Sequence, residues 1–436
     1  MPKKIGPKKV GVVGMGYVGL TLTAALARAG NEVHGVDAKP SVRESLARGR
    51  PHIVEPGVDE VFADAVGSSI FIGTELPRDL DAVMICVSTP VDDVSHRPDL
   101  SHLDAAARDI GRWCAPGTLV VLRSTVPIGT SRRVVLPVLQ QAWGTVRLAM
   151  APERTIQGQA LRELVELPQV VGALDEESLA AAVDVFGALA TRVVPVSRLE
   201  TAEMVKLSNN CHTDLIYSFG NELALIAESH GLDPLEVIRA ANLDYPRPDL
   251  AKPGYVGGGC LSKDPYIMID SAGRTPFLVG QARKLNEYLP EHVGRTVVDL
   301  VREHRGVTEG ARVSVLGWAY KGWPATDDMR GTPVSTIVPI LTEAGVTVLG
   351  HDPLVADEVI RQYGGEPVGM DKALSEPDAI VIINDHPDYR ALGGDALTGS
   401  NAKFVYDSWR ILDEEAVRAA GLGYAGLGYR PTEVSP

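Results

Sequence analysis

Short runs of apolar residues alternate along this chain with longer stretches whose apolar positions recur every three or four residues. These are the two periods of buried strands and one-sided helices. Residues 9–37 set the pattern: KVGVVG, then MGYVGLTLTAALARAG, then NEVHGVD predict a strand, a glycine turn, a helix and a second strand. The helix has its apolar face in Leu20, Ala24, Ala25 and Leu26 and stops at Gly30. Further strands are predicted at 81–87 (DAVMICV), 118–124 (TLVVLRS) and 146–150 (VRLAM), with helical patterns between them. The same grammar returns at 312–317 (RVSVLG), 346–352 (VTVLGHD), 378–384 (DAIVIIN) and 403–407 (KFVYD), with a helix over 334–345. Alternation of this kind builds doubly wound parallel sheets, so the expected fold class is α/β with two Rossmann-like lobes.

Residues 199–305 between the lobes read as mainly helical. The stretch from Glu200 to Gly231 predicts one long helix, apolar at Met204, Leu207, Leu215, Phe219, Leu223 and Ile226 and ended by Gly231. Its interior carries Lys206, Leu207, Ser208, Asn209, Asn210, Cys211, His212, Thr213 and Asp214, mostly poor helix formers. Lys206 and Asn210 stand four apart and share a face. A polar helical stretch is most often a solvated face. The apolar positions on both sides of this one predict a largely buried helix instead, in which its polar groups need partners or a ligand. The expected division is 1–198, 199–305 and 306–436.

Composition narrows the function classes. The chain has 436 residues, 45% hydrophobic and 22% charged, as in an ordinary globular protein of two or three domains. A formal charge of −14 argues against a nucleic-acid or anionic-membrane partner, each of which needs a basic face. The cysteines at 86, 114, 211 and 260 form no CxxC pair, and the histidines form no HExxH, so neither a metal site nor a disulfide framework is expected. A reducing cytoplasm fits. Lys3, Lys4, Lys8 and Lys9 before the apolar run Val10 to Ala27 imitate a signal peptide. The glycines inside that run follow a phosphate-binding pattern, so it is read as fold. No other stretch approaches the roughly 18 apolar residues of a membrane span.

Gly14, Gly16 and Gly19 make GxGxxG between a strand and a helix. The first allows the tight turn, the second lets backbone approach a pyrophosphate, and the third permits close helix–strand packing. Asp37 closes the next strand, where a carboxylate can bond the ribose hydroxyls of NAD and repel the 2′-phosphate of NADP. The later lobe lacks this turn, consistent with a different ligand. YVGGGCLSKDPY at 255–266 places Cys260 after three glycines. A free cysteine is most often a small buried hydrophobe, but one beside a helix N-terminus and lysines has its thiolate favoured. Asp264 before Pro265 is good cap chemistry. Thr125 leaves a strand in RSTVPIGT, and Glu153 in APER has Arg154 beside it as a surface partner.

Together GVVGMGYVGL, VSTPV, STVPIGT, APER, TAEMVKLSNNCHTD, GNEL, VGGGCLSKDP, GWAYKG, TDDMRGTP and HDP resemble the UDP-glucose/GDP-mannose dehydrogenase family along nearly the whole chain. The resemblance implies an NAD lobe, a helical dimerisation core and a C-terminal lobe holding a nucleotide sugar. It implies four-electron oxidation of the sugar's C6 alcohol to a uronic acid through a thioester on Cys260. Lys206 and Asn210 would stabilise the oxyanion, Asp264 and Thr125 would handle water and protons, and Glu153 matches a second acid. Cofactor contacts are implied for Gly14, Met15, Gly16, Tyr17, Val18, Gly19, Asp37, Ser88, Thr89, Thr125, Lys263 and Arg330. Substrate contacts are implied for Glu153, Arg154, Gln157, Lys206, Asn210, Lys252, Tyr255, Gly257, Tyr320, Lys321 and Arg410, with Arg247 reaching across a homodimer.

Family members acting on UDP-glucose usually carry a glutamate where this chain has Gln157, and GGSC where it reads GGGC. Both differences, with PERxxxG and TAEM, lean towards UDP-N-acetyl-D-mannosamine rather than UDP-glucose, UDP-GlcNAc or GDP-mannose. The lysine of SKDP leans the other way, and Lys321 to Arg330 is two residues longer than usual. The rivals are a two-electron β-hydroxyacid dehydrogenase, which needs neither Cys260 nor a second nucleotide lobe, and a non-catalytic nucleotide-sugar-binding protein.

Overall fold

The computed structural model describes residues 8–246, 249–273 and 276–430, which fall into two compact units. The first comprises the chain to Asn209 with a segment beginning at Tyr266; the second comprises Asn210–Pro265 and the chain from Pro276.

The first unit is built on an eight-stranded sheet. Its strands are β1 (Lys9–Val13), β2 (Glu32–Val36), β3 (Ile70–Gly73), β4 (Ala82–Ile85), β5 (Leu119–Leu122), β6 (Arg147–Met150), β7 (Gln169–Ala173) and β8 (Val193–Val196). Their order is β3-β2-β1-β4-β5-β6-β7-β8, and all neighbours are parallel except β6 and β7. The apolar run that imitates a signal peptide is thus strand β1, in the interior of the sheet, and the helix Tyr17–Arg28. Strands β4 and β5, and β1 from Val10 onward, are apolar because both their faces are covered. Val10, Val12, Met84 and Val121 pack on one side, and Val13, Val83, Ile85 and Val120 on the other.

The second unit holds a six-stranded, wholly parallel sheet: β9 (Arg312–Leu316), β10 (Thr347–His351), β11 (Glu366–Pro367), β12 (Ala379–Ile382), β13 (Phe404–Asp407) and β14 (Gly423–Gly426), in the order β11-β10-β9-β12-β13-β14. A fully buried Trp318 fills the space after β9, where its backbone N–H donates to Asp352 Oδ2 at 2.6 Å. In the first unit Asp37 Oδ2 likewise accepts from Met15 N at 2.8 Å. An acid closing the second strand braces the first turn in both sheets. Strands β3, β7, β8, β11 and β14 escape the hydrophobic pattern because they are short or stand at or near a sheet edge.

The long helix runs over Leu199–Ser229, and Gly231 at φ +66° ends it as expected. Its burial differs from expectation. Met204, Phe219 and Ile226 are 49%, 52% and 51% exposed, whereas Leu207 is buried as expected, and the polar Glu203, Lys206, Asp214, Ser218 and Asn221 are buried with it. Among the described residues the exposed apolar stripe has no cover, while the polar face has partners: Glu203 accepts from Gly129 and Ser131 N–H, and Asp214 pairs with Arg283.

Candidate active site

The first unit gathers its expected residues at the carboxyl ends of strands, where doubly wound sheets bind ligands. Gly14 follows β1, Asp37 follows β2, Ser88 and Thr89 lie just beyond β4, Thr125 beyond β5 and Glu153 beyond β6. β1 and β4 are neighbours in the sheet although β2 and β3 come between them in sequence, so the chain reverses direction there.

The glycine turn fits a dinucleotide. Gly14 has φ +88°, and a Cβ on Gly19 would lie 1.9 Å from Gly14 O, so helix and turn touch backbone to backbone. Around Gly16 nothing lies within 4 Å of such a Cβ, which leaves bare backbone for a pyrophosphate at the start of the helix Tyr17–Arg28. Met15 is fully buried and Val18 half-buried. Asp37 is half-buried, and its two oxygens accept from Met15 N and from Lys39 N at 2.9 Å, which leaves lone pairs for ribose hydroxyls. Ser88 Oγ meets His102 Nδ1 at 3.0 Å; Thr89 is 3% exposed, with no partner for its hydroxyl among the described residues.

Glu153 corrects its surface reading. It is 6% exposed and pairs with the fully buried Arg123, while its Oε1 accepts from Arg154 N and Thr155 N at 2.7 and 2.9 Å. Burial alone would push this carboxyl up; the Arg123 guanidinium and the two N–H groups outweigh it and hold the carboxyl below its ordinary range. Arg123 was missed, although a charge ending an apolar strand is a sign of a buried partner. Arg154, Gln157 and Thr125 are half-buried, and Lys206 is buried on the long helix.

In the second unit Cys260 is exposed on the short helix Gly258–Leu261, which starts after Gly257. The other three cysteines are buried, and burial pushes Cys86 and Cys211 up to about 12 and Cys114 to about 11. The cap reading of Asp264 is corrected. The helix Asp264–Ser271 begins at that residue, and its buried carboxylate turns to Asn210, whose Nδ2 donates at 2.5 Å. Lys263 Nζ lies 3.3 Å from the same carboxylate. Arg283, also missed, pairs with Asp214 and donates to Leu261 O at 2.9 Å, tying the end of the cysteine's helix to the long one.

All three glycines before Cys260 are there for close approach, Gly258 with its Cβ position 2.8 Å from the Tyr320 ring. A Cβ on Gly257 would meet Gly331 O at 2.3 Å, and one on Gly259 would meet the Arg330 guanidinium at 2.5 Å. Arg330 is also clasped by Asp328. The half-buried Tyr320 packs on Gly258, with Lys321 Nζ 5.5 Å from its ring centroid. Tyr255 is buried, its hydroxyl 3.0 Å from Ser408 Oγ. Lys252 and Arg410 line one small pocket with Ser408 and Trp409, and Arg410 pairs with Asp233 and stacks on Tyr429. Arg247 lies outside the described residues. Among those described, no cluster of three metal-ligating side chains exists, and no helix is long and apolar enough to cross a membrane.

Known proteins are similar to this chain in sequence and fold. The chain is 31% identical over 420 residues to a UDP-N-acetyl-D-mannosamine dehydrogenase of Pyrococcus horikoshii, covering 94% of this chain and 96% of that one. It is 33% identical over 392 residues to an NDP-N-acetyl-D-galactosaminuronic acid dehydrogenase of Ralstonia nicotianae, covering 87% and 91%. The solved structure of a UDP-D-ManNAc dehydrogenase from Pyrococcus horikoshii superposes with a TM-score of 0.88 at 30% identity, covering 97% of this chain and all of that one. Family models match in the same order as the parts of the fold. The NAD binding domain covers residues 8–190, the central domain 200–288 and the UDP binding domain 314–414. A dinucleotide turn on the first sheet, followed by a second sheet matched as a UDP binding domain, is more than a two-electron hydroxyacid dehydrogenase needs, and the chain belongs to the UDP-glucose/GDP-mannose dehydrogenase family.

Proposed function

We propose that this NAD-dependent nucleotide-sugar dehydrogenase oxidises the C6 alcohol of a UDP-N-acetylhexosamine, UDP-N-acetyl-D-mannosamine foremost, to the carboxylate, with Cys260 carrying the sugar between two oxidations. The Asn210–Asp264 hydrogen bond carries the reading. It joins polar side chains 54 residues apart, four residues from the one exposed cysteine of the chain.

When bound, NAD supplies the hydride acceptor for each oxidation. Cys260 Sγ, as thiolate, adds to the carbonyl carbon of the C6 aldehyde. Lys206 Nζ and Asn210 Nδ2, one turn apart on a helix, donate to the oxygen that becomes anionic. After the adduct is oxidised to the thioester, Asp264 takes a proton from the attacking water, Thr125 holds that water, and the C–S bond breaks. The sugar carboxylate leaves and the thiolate is restored. Glu153, kept ionised by Arg123, is a fixed anion in the substrate loop with Arg154 and Gln157. Lys252, Tyr255, Gly257, Tyr320, Lys321 and Arg410 take the nucleotide sugar; Lys263, Arg330, Ser88 and Thr89 join the glycine turn on the cofactor.

The preference for an acetamido sugar has two supports. Gln157 can both donate to and accept from an acetamido group, where a carboxylate only accepts. Both relatives above are named for N-acetylhexosamine derivatives. Assaying NADH formation with UDP-glucose, UDP-GlcNAc, UDP-ManNAc and GDP-mannose tests the proposal. UDP-ManNAc should have the highest kcat/KM, with two NADH per sugar. Faster turnover of UDP-glucose would overturn the substrate; one NADH per sugar, with aldehyde released, would overturn the covalent route.

A further inference from the structure

The loop after β6 carries Glu153, Arg154 and Gln157, and carboxylates hold most of its backbone. The N–H groups of Arg154 and Thr155 donate to Glu153 Oε1, and that of Ile156 donates to Glu163 Oε2 at 2.7 Å. Those of Gly158 and Ala160 donate to Glu55 Oε2 and Oε1, each at 2.7 Å. Glu153 and Glu163 belong to the loop or its following helix. Glu55 comes from 103 residues before Gly158 and is 3% exposed. Its Oε2 also accepts from Tyr17 Oη at 2.8 Å, and Tyr17 opens the helix directly after Gly16. One buried carboxylate therefore joins the turn under the cofactor phosphates to the loop on the sugar. Burial, with Glu55 alongside, pushes the Tyr17 hydroxyl far above its ordinary range, so it stays a donor at every working pH.

We infer that Glu55 is a positioning residue that couples the cofactor subsite to the sugar subsite through Tyr17 on one side and Gly158 and Ala160 on the other. A cofactor that orders the glycine turn orders Tyr17. Tyr17 fixes Glu55, and Glu55 fixes the loop, so each ligand prepares the protein for the other. The inference rests on the reading that residues 153–157 meet the sugar.

The test titrates UDP-ManNAc, or whichever of the four sugars is turned over fastest, into the full-length enzyme by calorimetry with and without saturating NADH. In the wild type NADH should tighten sugar binding by about fivefold or more. Glu55→Gln keeps the shape but turns an NH₂ towards a donor. Tyr17→Phe removes the link and spares both backbone bonds of Glu55. Both variants should lose the coupling. A merely structural Glu55 would lower the melting temperature and the active fraction but leave this ratio unmoved, so wild-type coupling in folded Tyr17→Phe overturns the inference even if Glu55→Gln fails to fold. Absence of coupling in the wild type overturns it as well. Gln157→Ala separates the two readings. Unchanged sugar affinity there overturns the loop reading and the coupling with it; weakened affinity there, with coupling intact in the Glu55 and Tyr17 variants, overturns the coupling alone.

Discussion

Four thiols share this chain, and their environments divide them. Three are buried and held protonated by lost hydration, whereas Cys260 is exposed on a glycine-flanked turn. Iodoacetamide near neutral pH should therefore modify Cys260 first, with bound nucleotide sugar slowing the reaction; peptide mass spectrometry that found label on Cys86, Cys114 or Cys211 instead would remove its special standing. Cys260→Ala should stop acid formation while sugar and NADH still bind, and two-NADH turnover by that variant would end the covalent mechanism. Asp37 sets the cofactor. Its carboxylate is fixed by Met15 N and Lys39 N, so a 2′-phosphate would meet a charge that cannot swing away. NAD should exceed NADP in kcat/KM by at least about tenfold, a difference of some 1.4 kcal/mol for a partly screened like-charge contact. Equal values would sink the assignment.

Elements were legible in the sequence where a period or a turn had one physical solution. The strand–Gly14–helix unit was readable because only glycine survives at Gly19, 1.9 Å from backbone; Gly19→Ala should abolish NADH binding measured by fluorescence, and a folded variant binding normally would refute that account. What stayed hidden was pairing at long range. The partner of Glu153 is Arg123 just beyond β5, and that of Gly158 and Ala160 is Glu55, and no local pattern points from one to the other. The long helix misled for a related reason: an apolar stripe says that a face wants cover, not that this chain supplies it. The Arg123–Glu153 pair has a consequence in acid. The folded Glu153 carboxyl lies below its ordinary value of 4.5, so the pair's contribution is whole above that pH and is lost as pH falls through the lower, folded value. Glu153→Gln leaves Arg123 buried without its counter-ion, a loss of roughly 3–5 kcal/mol near neutrality. The gap in melting temperature between wild type and Glu153→Gln should narrow on acidification below that value; a gap that stays constant would mean the pair contributes no charge term.

At the scale of the molecule, the uncovered stripe of the long helix is the feature a single chain leaves unexplained. Met204, Phe219 and Ile226 are about half exposed, and their spacing along Leu199–Ser229 puts them on one face. Burying that face against a second copy would give the homodimer that the family resemblance implies, and an Arg247 acting across it would make the dimer the active unit. Phe219→Glu with Ile226→Glu should then shift the protein to monomers in analytical ultracentrifugation and cost activity in step. Complementation is the stricter test. Arg247→Ala and Cys260→Ser chains should each be inactive alone, but a mixed dimer would hold one site with the intact cysteine of one chain and the intact arginine of the other. Random pairing makes half the dimers mixed, with one working site of two, so an equimolar mixture should recover about a quarter of wild-type activity. Verified mixed dimers with no recovery would mean that Arg247 serves its own subunit or none, and the dimer would then be needed for stability rather than for the chemistry.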